Sequence, residues 1–108
     1  MSWFRGFVCG LICAGLLVAA AGRAMSARDS IRRVFGPYSG QALRVSWCES
    51  HRSIYARNGS HLGLFQMGEN ERRMFAHGRY WNAMYQARAA WRYFVASGFT
   101  WKAWVCQP

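Results

Sequence analysis

Two short stretches of the sequence carry side chains whose types and spacing suit acid chemistry. The first is "WCES" at residues 47–50, which sets one of only four acidic residues beside a cysteine and a tryptophan. The second, "GLFQ" at residues 63–66, begins fourteen residues after Glu49, far enough for a loop to return over a helix end. Trp47 and Phe65 would then enclose the carboxyl with apolar surface. Burial raises the pKa of a carboxyl, which suits a general acid that protonates a poor leaving group such as a glycosidic oxygen.

The first stretch lies at the end of a predicted helix. From about residue 40 to residue 51, apolar residues recur at helical spacing, with Leu43 and Trp47 as an i,i+4 pair. Ser39 is a candidate N-cap for this helix. Glu49 therefore falls in the last turn, where its side chain can face the segment that follows.

The segments after Glu49 predict a small β element and then two helices. Asn58-Gly59 is a tight-turn signal between short extended runs, and Gly63 lets the backbone pass close to another group. A short helix is expected over residues 70–76, and a longer one runs from residue 82 to just before Gly98. The buried face of the longer helix is predicted to comprise Met84, Ala87, Trp91, Phe94 and Val95. The fold class is mostly α, with a small hairpin after the central helix and an aromatic tail that packs back on the core.

The N-terminal segment, residues 1–24, predicts a signal peptide or a membrane anchor. Arg5 precedes an uncharged apolar run at residues 6–22, and small residues follow, with cleavage favoured after Ala24. The run is at the short limit for a bilayer span, and the four arginines that follow it oppose export. An uncleaved anchor, held in the membrane through residues 6–22, and a buried core helix therefore stay open as alternatives.

The rest of the chain divides into a connecting segment and a domain. Residues 25–39 are expected to form a linker with a short helix, in which Asp29 and Ser30 are cap candidates. Residues 40–108 form the predicted domain. A chain of this size is marginal for one apolar core, so a covalent staple would help.

Cysteine usage supplies that staple. Cys48 and Cys106 form an even pair in a chain predicted to be exported, where disulfides persist. A bridge between them would close a loop of 58 residue steps and stabilise the fold by roughly 4 kcal/mol. Two free buried thiols are the alternative.

The net charge of +10 arises from thirteen arginines and one lysine against four acidic residues. Such a field attracts polyanions without selecting among them, and an anionic cell wall or membrane surface is the natural counterpart of an exported protein. The alternative is a solvated face that maintains solubility. A nucleic-acid binder would show an affinity that falls steeply with salt, but it would not explain the signal segment, so no nucleic-acid partner is expected.

The order of these motifs resembles a known family. The pattern A-x-x-V-x-W-C-E-S, a glycine-containing loop, G-L-F-Q, an alanine-rich helix and a tryptophan-rich end extends from about Gln41 to Cys106. It is similar to the soluble-lytic-transglycosylase-like branch of the lysozyme superfamily. The nearest members are the compact wall-degrading domains of actinobacteria and phages, including the resuscitation-promoting-factor group.

The resemblance implies a role for each matching residue. Glu49 matches the catalytic glutamate, and Ser50 matches the small residue that supports its carboxyl. Gly63, Leu64, Phe65 and Gln66 match the motif that lines the sugar cleft, with Gln66 as the polar contact to substrate and Leu64 packed inward. Tyr85, like Tyr80, is a candidate for the cleft. The family often has Asp-Pro and Asn where this chain has Asn82-Ala83 and Gln86.

The resemblance also implies a reaction, namely cleavage of the β-1,4 bond between N-acetylmuramic acid and N-acetylglucosamine in peptidoglycan. Glu69 and Glu71, next to Arg72 and Arg73, are interpreted as an exposed, ion-paired helix start, so Glu49 would act without a second carboxylate. A lytic transglycosylase works in this way and forms an anhydro product, although attack by water stays open. No cofactor is expected, and the spacing of the three histidines predicts no metal site. The rival function is a non-catalytic cationic protein, wall-binding or antibacterial, on the same scaffold.

Overall fold

A computed structural model describes residues 25–108, which form a mostly α domain with one two-stranded antiparallel sheet. The elements are helix α1 (Ala27–Phe35), a 3-10 turn (Gly36–Tyr38), helix α2 (Ser39–Ser50), strands β1 (Arg57–Asn58) and β2 (His61–Leu62), helix α3 (Glu69–Phe75) and helix α4 (Ala83–Ala96). These elements confirm the predicted fold class, which is mostly α with a small hairpin after the helix that carries Glu49. The predicted signal or anchor at residues 1–24 lies outside the described residues, and no helix within residues 25–108 is long and apolar enough to cross a membrane.

Helix α1 is part of the packed domain and does not form a separate linker. Ile31 and Phe35 are buried where α1 packs against α2 and α4. Ser26 caps the helix by accepting a hydrogen bond from the backbone N–H of Asp29 at 3.1 Å, so Asp29 and Ser30 lie inside the first turn instead of capping it. The predicted boundary at residue 39 therefore falls inside the core, because the apolar side of α1 completes it.

Helix α2 begins at Ser39, which is the first helical residue and not the predicted N-cap. The preceding 3-10 turn leads directly into the helix, and no side chain caps its start. At the other end, His51 adopts a left-handed conformation with a φ of 53°, and the helix ends there. Trp47 is 52% exposed and stacks on His51 with ring centroids 4.7 Å apart, so it does not join the core.

The hairpin follows α2 and turns one residue later than predicted. Asn58 pairs with His61, so the two turn residues are Gly59 and Ser60. Gly59 has a φ of +62°, whereas Ser60 has no positive φ. A glycine with positive φ at the first turn position is typical of type II′ hairpin turns, whose twist matches that of the strands. The hairpin is therefore locally encoded even though its strands are only two residues long.

Helix α4 provides the central wall of the domain. Asn82 caps it by accepting hydrogen bonds from the N–H groups of Met84 and Tyr85. Its buried face comprises Ala83, Gln86, Ala87, Ala89, Ala90 and Phe94. Of the predicted face, Ala87 and Phe94 are buried and the partly buried Trp91 packs against the core. Met84 is partly buried without joining the core and Val95 is 38% exposed, so the predicted face was wrong at these two positions. Alanines take the interior positions because their small side chains let the other elements pack close to the helix axis.

Aromatic rings fill the core and attach the C-terminal tail. The ring of Phe35 stacks on Phe65 at 5.5 Å and on Trp101 at 5.7 Å, and Trp101 lies 4.6 Å from Phe94. The tail thus packs back on the core as predicted. The predicted Cys48–Cys106 disulfide is confirmed, and it ties the end of α2 to this tail.

Candidate active site around Glu49

A cavity of about 220 Å³ lies where the end of α2, the hairpin, the start of α3 and the tail meet. The polar side chains on its walls are Glu49, Asn58, His61, Gln66, Glu71 and Tyr93, and residues 103–105 form the wall on the tail side. The cavity therefore collects side chains from across residues 49–105. Two of the protein's four acidic residues lie in it.

Glu49 projects from the last turn of α2 and is half-buried. Burial raises the pKa of its carboxyl above the ordinary value, while the backbone N–H of Cys106 and the charge of His61 act in the opposite direction. Because the disulfide holds Cys106 next to α2, the tail helps to determine this pKa. A carboxyl with a raised pKa inside an accessible cavity has the properties of a general acid.

Ser50 joins the two motifs that the sequence places fourteen residues apart. Its hydroxyl lies 2.7 Å from the carbonyl oxygen of Leu64 and 3.1 Å from that of Ser46, and it can donate to either. Leu64 is fully buried, so it packs inward as predicted. The hydroxyl therefore holds the 63–66 segment against the end of α2, next to Glu49, and it does so through the segment's backbone.

Gly63 and Gln86 hold the other side of the same segment. Gly63 has a φ of +80°, and a Cβ on it would stand 2.5 Å from the Gln86 Oε1 atom. That Oε1 accepts a hydrogen bond from the backbone N–H of Leu64 at 2.8 Å, and the Nε2 of Gln86 donates to the Ile54 carbonyl at 2.8 Å. Gly63 thus permits close backbone approach, as predicted, but the group it approaches is Gln86.

Sequence reasoning missed the role of Gln86. Its side chain is fully buried, with both polar ends of its amide satisfied by backbone groups. The signal was present, because Gln86 lies three residues after Ala83 and one before Ala87, on the alanine-rich face of α4. A polar residue on such a face needs a hydrogen-bond partner inside the protein.

The side chains of Phe65 and Gln66 have different surroundings, since the first lies in the core and the second lines the cavity. The Phe65 side chain is fully buried in the aromatic core, so it offers no surface to a sugar, and its carbonyl accepts a hydrogen bond from the Trp104 indole at 3.0 Å. Gln66 lines the cavity with a φ of +48°. Its Nε2 donates to the carbonyl oxygens of Ala56 and Gly63, which fixes the side chain at the cavity wall.

Several predicted contacts lie away from the cavity. Trp47 is on the outer surface and Phe65 is buried in the core, so neither lines the cavity, whose large apolar side chains are Met67 and Trp104. Tyr85 is exposed and packs over Gly78 instead of lining the cavity. Tyr80 is also outside, and its hydroxyl donates to the Leu62 carbonyl at 2.8 Å.

The two remaining glutamates differ from each other. Glu69 forms an exposed ion pair with Arg73 at 3.0 Å, as predicted for both. Glu71 lines the cavity, and within residues 25–108 it has no ion-pair partner. The prediction that Glu71 is exposed and paired was therefore wrong, because α3 turns this side of its first turn inward.

Arg72 is a second residue whose role the sequence did not reveal. Its Nη1 donates to the backbone carbonyls of Ser60 and Met67, and its guanidinium lies 5.8 Å from the Tyr80 ring centroid. These contacts tie α3 to the hairpin turn, so a residue expected to form a surface ion pair instead supports the cavity.

The arrangement combines a half-buried acid, a second carboxylate, an imidazole and amide groups around one cavity. Across the described residues, no three His, Cys, Asp or Glu side chains are grouped as a metal site. Compared with known proteins, the chain matches no family model, no curated protein and no solved structure. The chemistry of the cavity therefore carries the functional inference.

Proposed function

We propose that this protein is an exported glycosidase that cleaves the β-1,4 bond between N-acetylmuramic acid and N-acetylglucosamine in peptidoglycan. The observation that carries this proposal is the half-buried carboxyl of Glu49, whose pKa is raised, in a cavity that Gln66 of the 63–66 segment also lines. The resemblance of the two motifs to the lytic-transglycosylase-like branch of the lysozyme superfamily supplies the substrate class.

In this mechanism Glu49 acts first as an acid and then as a base. The protonated carboxyl gives its proton to the glycosidic oxygen, and the bond from that oxygen to C1 of the muramyl sugar breaks. The carboxylate then removes the proton from the C6 hydroxyl of the same sugar, whose oxygen attacks C1. The products are a 1,6-anhydromuramyl end and a free N-acetylglucosamine end, and Glu49 regains its proton without any cofactor.

The charge of the protein favours the proposed partner. A net charge of +10 concentrates the protein at an anionic cell wall, where the glycan strands are. The disulfide is compatible with an exported protein, since such bonds persist in oxidising compartments. We accordingly propose secretion or attachment to the cell envelope, with attachment through residues 6–22 as the alternative to cleavage after Ala24.

The test is a comparison of Glu49→Gln with the wild-type protein in release of soluble fragments from labelled peptidoglycan. The amide cannot donate an acidic proton, so the rate should fall by about 10²-fold or more. Glu69→Gln is the matched control, since Glu69 is an exposed glutamate outside the cavity, and its rate should be unchanged. Thermal melting shows whether each variant is folded. Equal release by a folded Glu49→Gln protein would contradict the proposal.

A non-catalytic wall-binding protein is the second candidate, and the exposed surface offers one observation for it. Tyr55, which is 70% exposed, stacks on Trp81 at 6.0 Å, and the Arg57 guanidinium lies 5.8 Å from the Trp81 ring centroid. Exposed aromatic faces next to a cation can bind sugars and anions without cleaving them. This candidate predicts that wild type and Glu49→Gln bind peptidoglycan equally and that neither releases fragments.

A further inference from the structure

Glu71 faces the same cavity as Glu49 and approaches it from a different element. Glu49 ends α2, whereas Glu71 lies in the first turn of α3, and the hairpin residue His61 lies on the wall as well. Glu71 is partly buried and, like Glu49, has no ion-pair partner among residues 25–108. Glu69, two residues earlier on the same helix, is exposed and forms the expected pair with Arg73.

The Glu71 carboxylate is held over Gly68. Its Oε2 lies 2.6 Å from the point where a Cβ on Gly68 would stand, and the Nε2 of His61 lies 3.6 Å from the same point. The carboxylate and the imidazole are therefore neighbours across Gly68. Tyr93 lines the same cavity, and the charge of Glu71 contributes, after burial, to raising the pKa of its hydroxyl.

Gly68 is suited to this position for a reason of space. Its backbone has a φ of −72°, which any residue can adopt, so the absence of a side chain is not required by the backbone. What a side chain would disturb is the Glu71 carboxylate, which occupies the volume next to the Gly68 Cα. Glycine at residue 68 therefore leaves room for Glu71 in the cavity.

We propose that Glu71 is a second carboxylate of the reaction and delivers water to the muramyl sugar. The inference rests on the proposed glycosidase function and concerns its product. Glu49 protonates the glycosidic oxygen and the bond to C1 breaks; Glu71 takes one proton from a water molecule, whose oxygen bonds to C1. The products are a muramyl end that carries a free hydroxyl at C1 and the free N-acetylglucosamine end. Glu71 then releases its proton to solvent and Glu49 takes one up, so the sum is addition of water.

This route competes with attack by the C6 hydroxyl, which needs Glu49 alone. In glycosidases in which water attacks C1 directly, a second carboxylate acts as the base that activates the water. Glu71 shares the cavity with Glu49 and reaches it from a different helix. A structural role for Glu71 is the competing explanation, because a carboxylate in the first turn stabilises a helix N-terminus. That role would affect the stability of the protein and the total rate of cleavage. It would not change how often water, as opposed to the C6 hydroxyl, attacks C1.

The test measures product type by mass spectrometry of muropeptides, since the water product is heavier than the anhydro product by one water molecule. The wild-type protein should release both kinds of end. In Glu71→Gln the ratio of free muramyl ends to anhydro ends should fall at least about tenfold, because a general base contributes about 10²–10⁴-fold to its step. Glu69→Gln, two residues away on the same helix, should keep the wild-type ratio.

Gly68→Ala supplies an independent variant that keeps the carboxylate. The added methyl group would displace the Glu71 side chain without straining the backbone, so the ratio should fall in the same direction. Wild-type digests that contain only anhydro ends, or a ratio that is unchanged in both folded variants, would overturn the role of Glu71. Absence of any cleavage by the wild-type protein would instead overturn the proposed function, so the two failures are distinguishable.

Discussion

At the residue scale, three effects act on the pKa of the Glu49 carboxyl, and they act in opposite directions. Burial favours the neutral acid, whereas the Cys106 backbone N–H and the charge of His61 favour the carboxylate, and burial dominates. His61 also faces Glu71 across Gly68, so one imidazole lies near both carboxylates. The acid strength of Glu49 is therefore adjustable by a single substitution in the hairpin.

These opposing effects on the Glu49 pKa predict how the activity depends on pH. Glu49 must hold a proton to act as an acid, so the rate of peptidoglycan cleavage should fall as pH rises through its raised pKa. His61→Ala removes a cation that lowers this pKa, and the alkaline limb of the rate profile should therefore move to higher pH.

The measurement is the initial rate of fragment release between about pH 4 and pH 9 at constant ionic strength. The position of the alkaline limb is the readout, because its height also reflects any contact that His61 makes with substrate. A limb that moves to lower pH in His61→Ala would contradict this electrostatic account of Glu49.

At the element scale, three parts of the chain hold the 63–66 segment in place. The Ser50 hydroxyl of α2, the Gln86 amide of α4 and the Trp104 indole of the tail each bond to its backbone. Because these bonds are made to the backbone of Leu64 and Phe65, they do not require a particular side chain at either residue. The segment therefore keeps its position next to Glu49 through backbone bonds, and Gln66 presents its side chain to the cavity.

Gly63→Ala should disrupt this clamp. The methyl group would meet the Gln86 amide at 2.5–2.9 Å in a backbone conformation with φ of +80°, so the free energy of unfolding should fall by roughly 2–4 kcal/mol. Gly59→Ala is the matched control, because it has a similar positive φ of +62° but no atom within 4 Å of its Cβ position. Its cost should be about 1 kcal/mol, from backbone strain alone.

Urea denaturation of both variants measures the difference. Equal destabilisation of the two would mean that crowding against Gln86 adds nothing to the strain. Loss of peptidoglycan cleavage should follow Gly63→Ala more closely than Gly59→Ala, because only Gly63 adjoins the Leu64–Gln86 hydrogen bond.

At the scale of the whole molecule, aromatic packing and one covalent bond stabilise a small basic domain. Arg73–Glu69 is the single ion pair among residues 25–108, and it is exposed, so surface ion pairs add little stability. The core instead stacks Phe35, Phe65, Phe94 and Trp101 against one another. Cationic side chains far outnumber acidic ones and give the protein a net charge of +10, which would attract it to the anionic cell wall of the proposed function.

Removing the disulfide should destabilise the domain. In the double variant Cys48→Ser/Cys106→Ser, the free energy of unfolding should fall by roughly 4 kcal/mol, because the bond closes a loop of 58 residue steps. The cleavage rate should fall as well, since the tail that carries Cys106 forms one wall of the cavity. Denaturation of the wild-type protein with and without a reductant is the control, and a loss below about 1 kcal/mol in both experiments would contradict the loop-closure argument.

Local patterns determined a definite part of this fold. The helix that carries Glu49, the turn at Gly59 and the helix that ends before Gly98 all follow from short-range rules of spacing, capping and glycine conformation. Pairing of Cys48 with Cys106 was predictable because the other two cysteines lie in the predicted signal segment. The predicted boundary at residue 39 failed because the burial of Ile31 and Phe35 depends on partners distant in sequence.

The sequence by itself determined the acid at residue 49, the segment at residues 63–66 and the staple between residues 48 and 106, because each is a local or compositional signal. Only the tertiary structure decided which side chains meet around that acid. It buried Phe65, left Trp47 outside, brought Gln86 to the segment and turned Glu71 into the cavity. The physical reason is visible in Glu69 and Glu71, which carry the same charge and lie on the same helix. Only the packing of that helix against the rest of the domain exposes one carboxylate and turns the other into the cavity.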